Sequence, residues 1–153
     1  MDSNLSDITL KPIGFVRNEV KQAPGAGYGW ESVVSEIVID SGLTEALEGL
    51  EKFSHIIVLC WMHRSADRGK PPLKVHPRHN KALPLVGLFA SRSPHRPNSI
   101  GKATVRLLKR EDNILTVKGL DALDGTPVVD IKPYIPGYDS VRGARVPEWS
   151  RGQ

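Results

Sequence analysis

Apolar and polar side chains alternate along residues 32–40, with Val33, Ser35, Ile37 and Ile39 on one side and Val34, Glu36, Val38 and Asp40 on the other. A period of two is the strand period, and β-branched residues on both sides predict a strand with much of both faces covered. Residues 12–20 read as an earlier strand. Residues 55–63 read as a central one, because Ile56-Ile57-Val58-Leu59-Cys60-Trp61 is continuously apolar. Between them Leu43, Leu47 and Leu50 recur at helical spacing after Ser41, which predicts one short helix over residues 43–51. Residues 85–89, 101–109, 114–119 and 128–131 complete a set of seven short strands, with a hairpin turn at residues 110–113. The pattern predicts a mainly β, single-domain sandwich or barrel with one short helix.

Two stretches break the alternation. Residues 65–84 hold Pro71, Pro72 and Pro77, several cations and few apolar side chains, which predicts a long surface loop with a binding role. After Ile135 no period remains, and residues 137–153, with Arg142, Arg145 and Trp149, are expected to form a tail against the surface or a partner subunit, with no second domain.

Composition narrows the class. A length of 153 residues suits one domain, and the longest apolar run, residues 56–62, is too short to span a bilayer. Asp2 and Asp7 stand where a secretory signal would carry cations, and Cys60 has no second cysteine to pair with, so a reducing, cytoplasmic setting is expected. Charge changes the picture more. From Arg64 to Arg110 lie twelve of the 21 Lys and Arg residues against one acid, Asp67, so this stretch carries +11 and the remainder −7. That polarity points to an anionic partner, nucleic acid first.

The most polar block lies inside that basic stretch. Ser91-Arg92-Ser93-Pro94-His95-Arg96-Pro97-Asn98-Ser99-Ile100-Gly101 is a loop between two apolar runs, costly to order and poor in burial, and so marks a candidate site. Gly25, Gly27 and Gly29 precede a strand and not a helix, which removes Rossmann and phosphate-loop geometries. His76 and His79 are flanked by Pro77, Lys74, Arg78 and Lys81, a setting unfavourable to a divalent ion, so no metal site is expected. His63, at the end of the central strand beside Arg64, points toward a cleft, whereas Cys60 reads as an inert core thiol. Asp121, Asp124 and Asp130 crowd one region of a chain whose other half is basic, and could complement a cationic ligand such as a sulfonium.

Three blocks together, Phe53-Ser54-His55-Ile56, the Phe89-to-Gly101 segment, and Leu123-Asp124-Gly125-Thr126-Pro127-Val128-Val129-Asp130-Ile131-Lys132-Pro133-Tyr134, closely resemble the TrmO family of tRNA adenosine N6-methyltransferases. The resemblance covers residues 13–136. It implies a non-Rossmann, β-barrel methyltransferase that uses S-adenosylmethionine and works as a homodimer with the cofactor near the subunit interface. It also implies a substrate, threonylcarbamoyladenosine beside the tRNA anticodon, methylated at N6. Carried over residue by residue, Gln22, Ala23 and Pro24 resemble the first cofactor-contacting loop, and His63 and Arg64 the pair ending the central strand. Arg92 and Lys102 match the polar block and its following strand, and Asp121, Ala122, Leu123 and Asp124 the turn near the adenosyl group.

Chemistry assigns the remaining expectations. Arg92 or Arg64 suits the cofactor's carboxylate, and Arg96 a carboxylate on the modified base. His63, Asp130 or a backbone carbonyl are candidates to accept the N6 proton, with Asn98 in the same catalytic block. Lys70, Lys74, Arg78 and Lys81 would meet phosphates of the anticodon arm. The alternative is a non-catalytic RNA-binding barrel. It needs exposed aromatics for stacking, yet none lies between Trp61 and Phe89.

Overall fold

The structure, a computed structural model, describes residues 4–25 and 27–151. Among these, eight strands form: β1 Gly14–Arg17, β2 Val34–Ile39, β3 His55–Trp61, β4 Lys74–Val75, β5 Val86–Gly87, β6 Ile100–Glu111, β7 Ile114–Lys118 and β8 Pro127–Pro133. Six of them close into an all-antiparallel barrel in the order β1-β2-β7-β6-β3-β8, and β4 and β5 pair separately. Closure leaves no unpaired barrel edge.

The alternation fills the interior. Val16, Ile37, Ile39, Ile56, Val58, Val105, Leu107, Leu115, Val117 and Val128 all point inward and form the core with Leu120. On β2 the inward set is Ser35, Ile37 and Ile39, while Val34 is exposed and Glu36 and Val38 are half-buried, so one face is covered and not both. Side-chain size falls along the β3–β6 pair. Ile56 faces Val105, Val58 faces Ala103, and Cys60 faces Gly101, so the barrel is packed at one end and hollow at the other. A Cβ on Gly101 would lie 3.2 Å from Met62 Sδ, which explains why the hollow end carries a glycine.

Several boundaries differ from the sequence pattern. The helix expected over residues 43–51 is two 3-10 turns, Ser41–Leu47 and Leu50–Lys52, because Gly49 between them is left-handed at φ 88° and breaks the continuity. The strand expected at residues 85–89 shrinks to β5, followed by a 3-10 turn. The central strand ends at Trp61, and His63 opens a one-turn helix, α1 His63–Ala66. The stretch 65–84 is not structureless, since Lys74–Val75 pairs with β5. The tail begins with a second one-turn helix, α2 Pro136–Asp139, capped where Asp139 Oδ2 accepts from Ile135 N.

Candidate functional site

At the hollow end of the barrel lies a cavity of about 400 Å³, within the roughly 300–1,000 Å³ common for small-molecule sites. Three segments build its rim. The first runs from the end of β3 into α1 and carries Met62, His63 and Arg64. The second is the 91–96 loop and the third the 121–123 turn. Met62 N donates to Ser99 O at 2.7 Å, adding one rung to the β3–β6 ladder and bringing the polar loop against α1.

The turn is fixed from the opposite side of the chain by Asn18, a residue that sequence reasoning missed. Its buried amide donates to Ser35 Oγ at 3.0 Å and to Ala122 O at 2.8 Å, and its Oδ1 accepts from Val20 N. Asp124 N closes the arrangement on Val20 O. Buried groups bonded this fully hold the wall in place, since losing one partner strands another. The short bond to Val20 N is an ordinary turn contact, and the two acceptors that tie Asn18 to the wall lie 17 and 104 residues away, out of reach of a local reading.

Of the candidates, the structure brings His63, Arg64, Arg92, Arg96, Lys102, Asp121, Ala122 and Leu123 to this cavity. The others fall outside it, each for a visible reason. Asp124 turns away: the Lys21 ammonium at 2.7 Å and the Asn18 N–H at 2.9 Å engage its carboxylate and hold it below its usual range. Gln22, Ala23 and Pro24 follow that outer ion pair and do not line the cavity. Asn98 is exposed, and its carbonyl accepts from Ile100 N. Asp130 lies on the outer face, opposite Leu59 and 2.9 Å from Lys132, because a β-bulge at Val129 reverses the facing of β8 after Val128.

The residues within the cavity differ in how free they are. Arg96 donates to Ser91 O at 2.9 Å and Ser93 O at 3.1 Å and packs over Phe89, so its guanidinium ties the loop together. Lys102 rests on Thr104 Oγ1 at the rim. Arg64 and Arg92 have no hydrogen-bonded or ion-paired partner among the described residues. Asp121 is the cavity's one carboxylate. Although it keeps a face to solvent, the surrounding walls withdraw its carboxyl from water and push it up, against its own backbone amide and the Arg92 charge, which pull it down. Burial, with Asp121 nearby, pushes the Cys60 thiol up to about 11, so it stays protonated at neutral pH. His63 Nδ1 is buried without a partner. A histidine acting as a base through Nε2 needs an acceptor on Nδ1–H to fix its tautomer, and His63 has none among the described residues.

No three His, Cys, Asp or Glu side chains converge among the described residues, and His76 Nδ1 pairs with Leu83 O. No described helix is long and apolar enough to cross a membrane.

Residues 16–140 match the model of the tRNA-methyltransferase O N-terminal domain. The chain belongs to the tRNA-methyltransferase O family. Over 142 residues it is 44% identical to a probable S-adenosyl-L-methionine-binding protein of Archaeoglobus fulgidus, covering 91% of this chain and 37% of that one. Over 101 residues it is 44% identical to a tRNA (adenine(37)-N6)-methyltransferase of Mus musculus, covering 66% of this chain and 23% of that one. The crystal structure of TrmO from Pseudomonas aeruginosa superposes with a TM-score of 0.72 at 34% identity, covering 92% of this chain and 62% of that chain. The chain thus spans less than two thirds of the length of each of these three proteins.

Proposed function

We propose that this barrel is an S-adenosylmethionine-dependent methyltransferase acting on N6 of an adenosine next to a tRNA anticodon. One observation carries the reading. The open end of the barrel gathers free guanidinium groups, a single carboxylate and an apolar floor of Cys60, Met62, Gly101 and Ala103 in one cavity of small-ligand size. The family match and the names of the relatives support it.

The residues fit the donor. Arg92 would take its carboxylate in the bidentate geometry a guanidinium favours. A side chain at Gly101 would press on Met62, which lines the same floor. When bound, the donor supplies an electrophilic methyl group on a positively charged sulfur. The chain's task is then to hold the adenine amine within about 3–3.5 Å of the transferred carbon and to exclude water. The amine nitrogen would form the new bond to carbon as the carbon–sulfur bond breaks, with that electron pair left on a neutral thioether, and must shed a proton. Asp121, whose carboxylate is made a stronger base by its withdrawal from water, accepts it. This role passes to Asp121 from His63 and Asp130, one of which lacks an orienting acceptor while the other faces outward.

The finer substrate is the threonylcarbamoyl-modified adenosine. Its added carboxylate suits Arg64, the second free cation at the rim, since Arg96 is engaged by its own loop. A cytoplasmic homodimer completes the reading. Ile100 at the cavity rim and Phe15 on the outer barrel wall are apolar side chains left exposed for such an interface.

Incubation with methyl-labelled S-adenosylmethionine and tRNA, followed by nucleoside mass spectrometry, tests the function. Label in N6-methyl-threonylcarbamoyladenosine is the expected result. Label in no nucleoside, with tRNA from cells lacking the methyl mark, would overturn the proposal.

A further inference from the structure

A second and larger cavity, about 1080 Å³, adjoins the first and shares Arg92 and Ser93 with it. Its walls come from residues 68–81, from the 89–95 loop and from tail residues 146–150. Arg68, Arg78, Lys81 and Arg92 line it, and none of its described lining residues is acidic. A cleft of one sign focuses its field on a polyanion. The expected phosphate-binding cations are thus only partly gathered, since Lys70 and Lys74 lie outside the lining.

The cleft is shaped as well as charged. Arg78 and His79 hold left-handed backbone at φ 56° each, a conformation that side-chain-bearing residues rarely keep, and Arg78 reaches across the cleft to donate to Trp149 O at 3.0 Å. Phe89 stands in the wall and is 79% exposed. Its ring is not loose, because the Arg96 guanidinium carbon sits 5.7 Å from the ring centroid while the same side chain is pinned by Ser91 O and Ser93 O. Arg96 lines the first cavity and Phe89 the second, so the pair stands at the boundary between them.

We infer that the second cavity is a subsite for single-stranded RNA, in which Phe89 stacks the base next to the methylated adenosine while Arg68, Arg78 and Lys81 meet the phosphates. The inference rests on reading the first cavity as the methyl-transfer site. A phosphate alone has no use for an exposed ring, and an apolar partner does not match the cationic wall. Unpaired nucleotides present both a π-face and a charged backbone, and both are matched here.

A synthetic hairpin RNA with adenosine in its unpaired loop, and 2-aminopurine at the neighbouring position, tests this on the full chain. Binding to the wild type is expected to quench the 2-aminopurine fluorescence. Phe89→Ala is expected to abolish the quench and raise Kd about tenfold, and Phe89→Tyr to restore both. Arg78→Gln with Lys81→Gln is expected to flatten the dependence of binding on salt. Retention of both quench and affinity in Phe89→Ala, while the wild type binds normally, would overturn the subsite and leave the methyl-transfer reading standing. So would loss of binding accompanied by a changed sedimentation mass, which would make Phe89 a subunit contact. A wild type that binds no hairpin would overturn both.

Discussion

Replacing Asp121 with asparagine is expected to slow methyl transfer roughly 10²–10⁴-fold, the range over which a positioned proton acceptor acts, and at the same time to raise thermal stability at neutral pH. The two effects share one cause. Withdrawal from water pushes the Asp121 carboxyl above its ordinary value of 3.8 in the folded chain. The folded state therefore favours the protonated form, and stability is lost as pH rises through the folded-state pKa. Asparagine never ionises and avoids that loss. In acid below the ordinary carboxylate value, both side chains are neutral and the two melting temperatures converge. Thermal melts of both proteins across pH, beside single-turnover rates, check the pair of effects. A variant that is slower and also less stable at neutral pH would mean that Asp121 holds the fold and not a proton.

Arg92→Ala is expected to raise Kd for S-adenosylmethionine roughly 10- to 150-fold, the equivalent of losing a charge-assisted hydrogen bond of about 1.5–3 kcal/mol. Because Arg92 stands at an open mouth, the lower half of that range is expected. Lysine at this position keeps the charge but not the fork, and recovers only part of the affinity. A second consequence follows from the neighbouring carboxylate. The Arg92 charge pulls the Asp121 carboxyl down, so its removal lets that carboxyl rise further, and the ascending acid limb of the pH–rate profile moves to higher pH. Calorimetric titration with the donor and the pH–rate profile of the variant measure the two effects separately. Unchanged affinity would place the donor's carboxylate elsewhere.

The barrel was legible because its interior is written in a period of two. Ile37 and Ile39, Val105 and Leu107, and Leu115 and Val117 are buried at every second position, and no other regular structure buries that pattern. Leucine spacing predicts a helix over residues 43–51 because it looks similar in a helix and in the two 3-10 turns that form there, which the left-handed Gly49 separates. The cavity was half-legible. Two of its cations, Arg92 and Arg96, stand in one polar loop, but the small inward pair Cys60 and Gly101 makes a hollow only once β3 and β6 are in register. The choice between Asp121 and Asp124 was not legible. It is made by Lys21 and Asn18, 103 and 106 residues from Asp124 in sequence, which draw one carboxylate outward and leave the other facing the cavity. Asp130 was misplaced for a similar reason. One bulged residue at Val129 exchanges the two faces of a strand, and a bulge belongs to a strand pair and not to either strand alone.

Every role proposed above depends on the hollow end of the barrel holding the methyl donor. Amide chemical shifts of the labelled protein, recorded during titration with S-adenosylmethionine, test it most directly. The largest shifts are expected at residues 60–65, 91–93, 101–103 and 121–123, with little change at the β6–β7 hairpin on the packed end. Shifts centred on that hairpin, or on the outer face around Asp130, with the cavity segments silent, would contradict it.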